Sequence, residues 1–217
     1  MEDRGFFCSW SGGKDSCLAL YRATREGGRP RFLVNMLEDD GRSSRGHGLP
    51  VEVLGQQALS IGVPLVARAT SWEGYESAFL SVLEEHKGEG VEAGVFGDIE
   101  LEEHREWLSR VCSIAGVEPH FPLWGMRRND LLEELFDTGF IATIVAVKEG
   151  VLDNRFLGRT LDGALLREFE ELGIDACGEE GEYHTVVTDG PIFSTPLLLK
   201  TCDRILRDRQ WRLNVTL

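Results

Sequence analysis

The chain of 217 residues contains no run of about 18 apolar residues, so no membrane-spanning helix is expected. It has no room for a leader either. Met-Glu-Asp-Arg gives way to strand-like sequence within five residues, which leaves no space for a signal peptide and leads to an expected cytoplasmic location. It has no CxxC pair. Its five cysteines, Cys8, Cys17, Cys112, Cys177 and Cys202, are scattered, which argues against a disulfide framework and a cysteine zinc site. It lacks positive charge: the net of −14 disfavours a general nucleic-acid surface, which needs clustered Lys and Arg. Internal repeats and low-complexity segments are absent as well.

What is present alternates. "FFCSW" reads as a short buried strand and "KDSCLALYRATREG" as a helix stopped by Gly27, Gly28 and Pro30. "RFLVNML" is a second strand, followed by a polar loop at 39–49 and a helix from Pro50 to Ile61. "PLVARAT" is a third strand, with a helix from Ser71 to about Lys87. "VEAGVFGDI" is a fourth, with a helix from Leu101 to Ala115. Continuous apolar strands joined by helices predict a parallel sheet covered on both faces, an α/β fold of Rossmann-like type. Ligands of such sheets bind beyond the carboxyl ends of the strands, and the four loops that follow the strands fall on that rim.

Past "FPLWG" the rhythm changes. A helix at 129–137, a strand "FIATIVAV", a helix at 161–172 and the strand-like stretches "YHTVV", "PLLLK" and "CDRILRDRQWRLNV" predict a smaller C-terminal α+β domain. The expected division is 1–125 and 126–217. Residues 200–217 hold five basic residues against two acidic ones, a net of +3 that leaves −17 for the rest. This segment reads either as a solvated strand face or as a contact for a macromolecular partner.

The joint between the first strand and helix is Ser11-Gly12-Gly13-Lys14-Asp15-Ser16. A glycine turn entering a helix presents backbone N–H groups and the positive end of the helix dipole, which together form an anion cradle. Ser11 and Ser16 add hydroxyl donors and Lys14 adds a point charge for phosphate. Asp15 would repel phosphate unless a cation such as Mg²⁺ stood between them. The loop is not a Walker A motif, because Cys8 occupies the place of its first glycine and Asp15 follows the lysine.

The order S-G-G-K-D-S resembles the PP-loop of the N-type ATP pyrophosphatases. Together with "GVFGDIELEEHREW", "FPLWG", "FLGRTLD" and "CGEEGEYHTVVTDGP", it resembles the diphthine–ammonia ligase, or diphthamide synthase, family from about Phe6 to Phe193. The resemblance implies an adenine nucleotide alpha hydrolase-like domain and an ATP-dependent, AMP-forming amidation. A carboxylate is adenylated, pyrophosphate leaves, and ammonia displaces AMP. Ser11, Gly12, Gly13, Lys14, Asp15 and Ser16 match the pyrophosphate loop. Gly97 and Asp98 match the motif after the fourth strand, with Asp15 and Asp98 as candidate Mg²⁺ ligands.

Glu179, Glu182, Tyr183 and His184 match the C-terminal motif, in which Glu179 or Glu182 would bind ammonium or take its proton and His184 would shuttle it. His47, on the same rim, joins the nucleotide-binding set. The motif around Glu182 is expected to face the loop across a cleft, and Cys177 is expected to fill space. The implied partners are ATP, ammonia, either free or supplied by a separate protein, and a carboxylate acceptor such as diphthine on a translation elongation factor. Membrane and nucleic acid are not expected; a homo-oligomer is left open. Two other readings share the loop: a PP-loop enzyme acting on tRNA, and a nucleotide-binding sensor without catalysis.

Overall fold

The computed structural model describes all 217 residues. Strands β1 (Gly5–Ser9), β2 (Arg29–Leu37), β3 (Leu65–Ala69), β4 (Ala93–Val95) and β5 (Glu118–His120) form one sheet in the order β3-β2-β1-β4-β5. All of its neighbours are parallel. The connections are α1 (Lys14–Arg25), α2 (Val51–Ile61), α3 (Tyr75–Glu85) and α4 (Glu102–Ala115). No helix is long and apolar enough to cross a membrane.

Alternation along β1 divides the core. Phe7 packs with Phe32, Phe79, Phe96, Leu108 and Val111 on the face covered by α3 and α4. Phe6 and Cys8 point the other way, into a cluster that includes Leu18 and Leu20 of α1 and Val53 and Leu54 of α2.

That second cluster does not end at the sheet. It continues into the C-terminal half, through Ile144, Val145 and Val147 of β6 (Ile141–Lys148) and Val186 and Val187 of β7 (Tyr183–Asp189). The half also contains α5 (Arg128–Asp137), α6 (Gly163–Leu172), β8 (Lys200–Arg207) and β9 (Gln210–Thr216). Its antiparallel sheet runs β7-β6-β9-β8. The two sheets therefore share one apolar core through α1 and α2.

Several elements differ from the sequence reading. β5 was not foreseen: Glu118-Pro119-His120 has no apolar run, yet it pairs with β4 as the edge strand. "PLLLK" is not a strand; only Lys200 enters β8, and the stretch is held as coil by Leu197 N–H donating to the Thr188 carbonyl. "CDRILRDRQWRLNV" is two strands, reversed at Asp208 and Arg209, both with positive φ (51° and 61°). Such a pair is a tight hairpin turn made without glycine. The third helix begins at Tyr75, not Ser71, because the Ser71 hydroxyl accepts from Gly74 N–H and holds a turn ahead of it.

One buried side chain joins these layers. Gln57 of α2 is fully buried; its amide donates to the carbonyls of Gly12 (2.9 Å) and Val187 (2.7 Å), and its oxygen accepts from the Trp10 indole (3.1 Å). Replacing Gln57 with Leu leaves the Trp10 indole N–H buried without its partner and takes one donor from each of the Gly12 and Val187 carbonyls. The expected cost is roughly 2–4 kcal/mol in chemical denaturation; a change under about 0.5 kcal/mol would remove Gln57 as the clamp.

Candidate functional site

In the order β3-β2-β1-β4-β5 the winding reverses between β1 and β4, and the crevice at that switch point is where doubly wound sheets bind ligands. The glycine turn after β1 and Gly97-Asp98 after β4 meet there. Gly12 has φ of 77°, and a Cβ on it would come 2.5 Å from the Gln57 oxygen, so only glycine fits. A Cβ on Gly97 would lie 2.8 Å from the Asp15 carbonyl carbon, which is how closely the two loops approach.

Within the turn, the Ser11 and Ser16 hydroxyls are 3.1 Å apart, Gly13 N–H donates to Ser11 Oγ (3.2 Å), and Lys14 N–H donates to Thr185 Oγ1 (3.1 Å). Val187 N–H donates to the Gly12 carbonyl at 2.9 Å. The C-terminal motif thus does not face the loop across a cleft, as the sequence suggested. β7 is hydrogen-bonded to it and fixes its backbone.

Lys14 is buried. Its ammonium lies against both carboxylate oxygens of Asp15 (2.9 and 2.8 Å) and the Cys177 carbonyl (2.5 Å). Burial opposes its charge, but the Asp15 carboxylate beside it outweighs that, and its pKa lies above the ordinary lysine value.

The loop that supplies the Cys177 carbonyl is organised by Asp175. Its carboxylate accepts from Cys177 N–H (3.0 Å), Glu179 N–H (3.3 Å) and Arg128 Nε (2.7 Å). Arg128 also pairs with Glu100. Arg128, three residues after "FPLWG", therefore acts as an internal brace.

The acidic candidates separate. Burial pushes Glu179 up to about 7, and the like charges of Asp15, Asp175 and Asp98 add to the rise while Lys14 opposes it. Glu182 is buried, and its carboxylate accepts from Glu180 N–H at 3.0 Å, which closes its own turn. Asp98 bonds to His104 Nδ1, and that bond lifts the imidazole's pKa. Burial pushes the Cys177 thiol up to about 12, unlike a nucleophilic thiolate. His47 and His184 stack with centroids 4.6 Å apart, and burial lowers the pKa of both.

A cavity of about 690 Å³ opens beside the loop. Its walls carry Trp10, Met36, Trp72, Tyr75, Phe79 and Trp107, with Ser11, Asn35, Arg45, His47, His104 and His184. The size and aromatic lining suit a nucleotide base and sugar. Asn35 Oδ1 is buried without a partner in the wall. Sequence reasoning missed Gln57, Thr185, Asp175 and the aromatic wall. Thr185 sat inside a recognised motif; the others are joined to the loop only through the fold.

A family model described as the diphthamide synthase N-terminal domain matches residues 6–119, and one described as the C-terminal domain matches 127–215. Curated relatives named diphthine–ammonia ligase include the rat protein, 29% identical over 90% of this chain and 83% of its own length. The human protein is 27% identical over the same shares. The fission yeast protein is 29% identical over 87% of this chain and 35% of its own length. A solved archaeal structure, from Methanocaldococcus jannaschii, titled a predicted subunit of tRNA methyltransferase, aligns at 17% identity and a TM-score of 0.42, covering 84% of this chain and 96% of that one. It is too distant to bear on fold or function. With both halves of the chain matched in order, this protein belongs to the diphthamide synthase family.

Proposed function

We propose that this chain is an ATP-dependent, AMP-forming ligase that adenylates a carboxylate and amidates it with ammonia; the name of its relatives, diphthine–ammonia ligase, supports the amidation. The observation that carries the reading is the buried Lys14 at a glycine turn that opens into an aromatic cavity of nucleotide size. The cavity takes adenosine, and the turn and Lys14 take the β- and γ-phosphates. The α-phosphate, where the acceptor carboxylate attacks, then lies between the turn and the two imidazoles.

Attack of one anion on another needs neutralisation in the transition state, which the charge of Lys14 and the positive end of α1 would supply. Three or more groups preset for a metal are not found. Mg²⁺ nonetheless fits the donor chemistry, since it binds through one or two carboxylates plus substrate phosphates and water, and Asp15 and Asp98 stand on the two loops that meet where Gly97 packs on the Asp15 backbone. When bound, it would neutralise phosphate charge. The acceptor class follows the relatives: a carboxylate such as that of diphthine on a translation elongation factor.

The deciding experiment is product analysis with ATP, ammonium chloride and a diphthine-bearing elongation factor. AMP, pyrophosphate and the amide are expected; ADP and orthophosphate would overturn the reading. Asp15→Asn removes the partner of Lys14 and is expected to slow AMP release by about 10²-fold while the chain stays folded by circular dichroism. Unchanged turnover would remove Asp15 from the reaction.

Glu179 makes a separate claim on stability. Its folded pKa of about 7 lies above the ordinary 4.5, so the folded state holds the proton longer than the unfolded one. Stability is therefore lost as pH rises from about 4.5 through 7. Glu179→Gln removes that loss. The variant is expected to melt above the wild type at pH 8 and level with it at pH 4; equal melting at both would show that the carboxyl group is not perturbed.

A further inference from the structure

The amidation reading leaves one proton without a destination. Ammonium has no lone pair, so a base beside the acyl centre must deprotonate it before the nitrogen can attack. Most groups on the rim are already engaged. Asp15 holds Lys14 through both oxygens, Asp98 holds His104, and Glu182 closes its own turn. Glu179 is not among the residues that line the cavity. The stacked imidazoles remain, and both line the nucleotide cavity.

Donor and acceptor chemistry separates the two rings. His47 Nδ1 is 3.1 Å from the Thr185 carbonyl, which can only accept, so that nitrogen carries the proton. In the neutral ring Nε2 then bears the lone pair, and no protein group bonds to it. His184 Nε2 is 3.2 Å from the Gln210 amide nitrogen. Arg212 donates to Gln210 Oε1 (3.4 Å), which fixes the orientation of that amide, so its nitrogen donates to His184. The His184 lone pair is therefore occupied.

His47 also lies on the phosphate loop. A Cβ on Gly13 would come 2.5 Å from His47 Cε1. The structure assigns His47 Nε2, and not His184, as the base that takes a proton from ammonium; this assignment rests on the amidation reading above.

The step balances as follows. Ammonium gives one proton to His47 Nε2. The nitrogen lone pair forms the C–N bond at the acyl carbon, and the C–O bond to AMP breaks with its electrons on the phosphate oxygen. The second proton lost from nitrogen passes to solvent water, as does the one on His47 when it resets. Burial keeps His47 below its ordinary pKa and so free to accept. Lys14 and Arg212 push in the same direction, and Asp15 opposes them. His184 packs against the ring as a neutral neighbour.

The test uses the full chain and its His47→Gln variant with ATP and a diphthine-bearing elongation factor. Adenylation, read as ATP–pyrophosphate exchange, is measured on the same variant, and each rate of amide or hydroxamate formation is expressed relative to it. Amide formation from ammonium at pH 7 is expected to fall by roughly 10²-fold. It should recover as pH rises and free ammonia accumulates, and hydroxylamine, neutral at pH 7, should form hydroxamate at near the wild-type rate. Equal losses with ammonium and hydroxylamine, or no loss with either, would overturn the assignment while leaving the ligase reading intact. If the wild type itself releases no AMP, the ligase reading falls and the assignment with it. Nitrogen-15 spectra of the wild-type imidazoles give a readout independent of turnover: His47 is expected to be protonated on Nδ1 and bare on Nε2, and a proton on Nε2 would overturn the assignment.

Discussion

The buried ammonium of Lys14 is the constraint around which the two halves are arranged. A charge taken out of water at this depth is tolerated only where a counter-charge and hydrogen-bond acceptors surround it. The N-terminal half supplies one of these, the Asp15 carboxylate. The others come from the second half: the Cys177 carbonyl and the Tyr183 ring, 5.5 Å from Nζ. A first domain folded alone would leave Lys14 half compensated. The shared apolar cluster and the bonds from β7 to the glycine turn follow the same logic, since they hold in place the loop that carries the buried lysine.

The basic C-terminal segment serves a related purpose. Arg207 and Arg212 both pair with Glu38, whose side chain is only 12% exposed, at the end of β2. Arg212 also lies against Gly48, which has no Cβ to keep it away. The loop that carries His47 is therefore pinned by a hairpin more than 150 residues distant. Part of the +3 charge that stood out in the sequence is consumed inside the molecule rather than offered to a partner.

The first four strands, their helices and the rim loops were legible because continuous apolar runs and glycine turns are local signals. β5 was not, since a three-residue edge strand needs only backbone pairing and Glu118-Pro119-His120 shows no periodicity. The β8–β9 hairpin was hidden because Asp208 and Arg209 take positive φ without the glycine or asparagine that normally announces it. At the site, the sequence brought Glu179, Glu182 and His184 together as one motif but could not rank them. The ranking comes from what each side chain touches. Glu182 is spent on a backbone N–H two residues away, Glu179 is half-buried within the field of Asp15 and Lys14, and the lone pair of His184 meets an amide contributed by β9.

These contacts divide the site into two electrostatic regimes. Around Lys14, charges are dense and mutually compensated, a setting that suits phosphate. Beside it lie the aromatic wall and the two imidazoles, whose protonated forms burial disfavours; for His47 burial outweighs the Thr185 carbonyl and Asp15, and for His184 the neighbouring His47, Lys14 and Arg212 add to it. A reaction that first joins two anions and then needs an uncharged nucleophile is served by that adjacency. On the proposed reading, the charged side would stabilise the phosphates without protonating the base, and the neutral side would hold a base that is not already an imidazolium. The stack between His47 and His184 sits at the boundary, and β7, which supplies both the Thr185 hydroxyl on Lys14 and the Thr185 carbonyl on His47, fixes the spacing between the two regimes with a single residue.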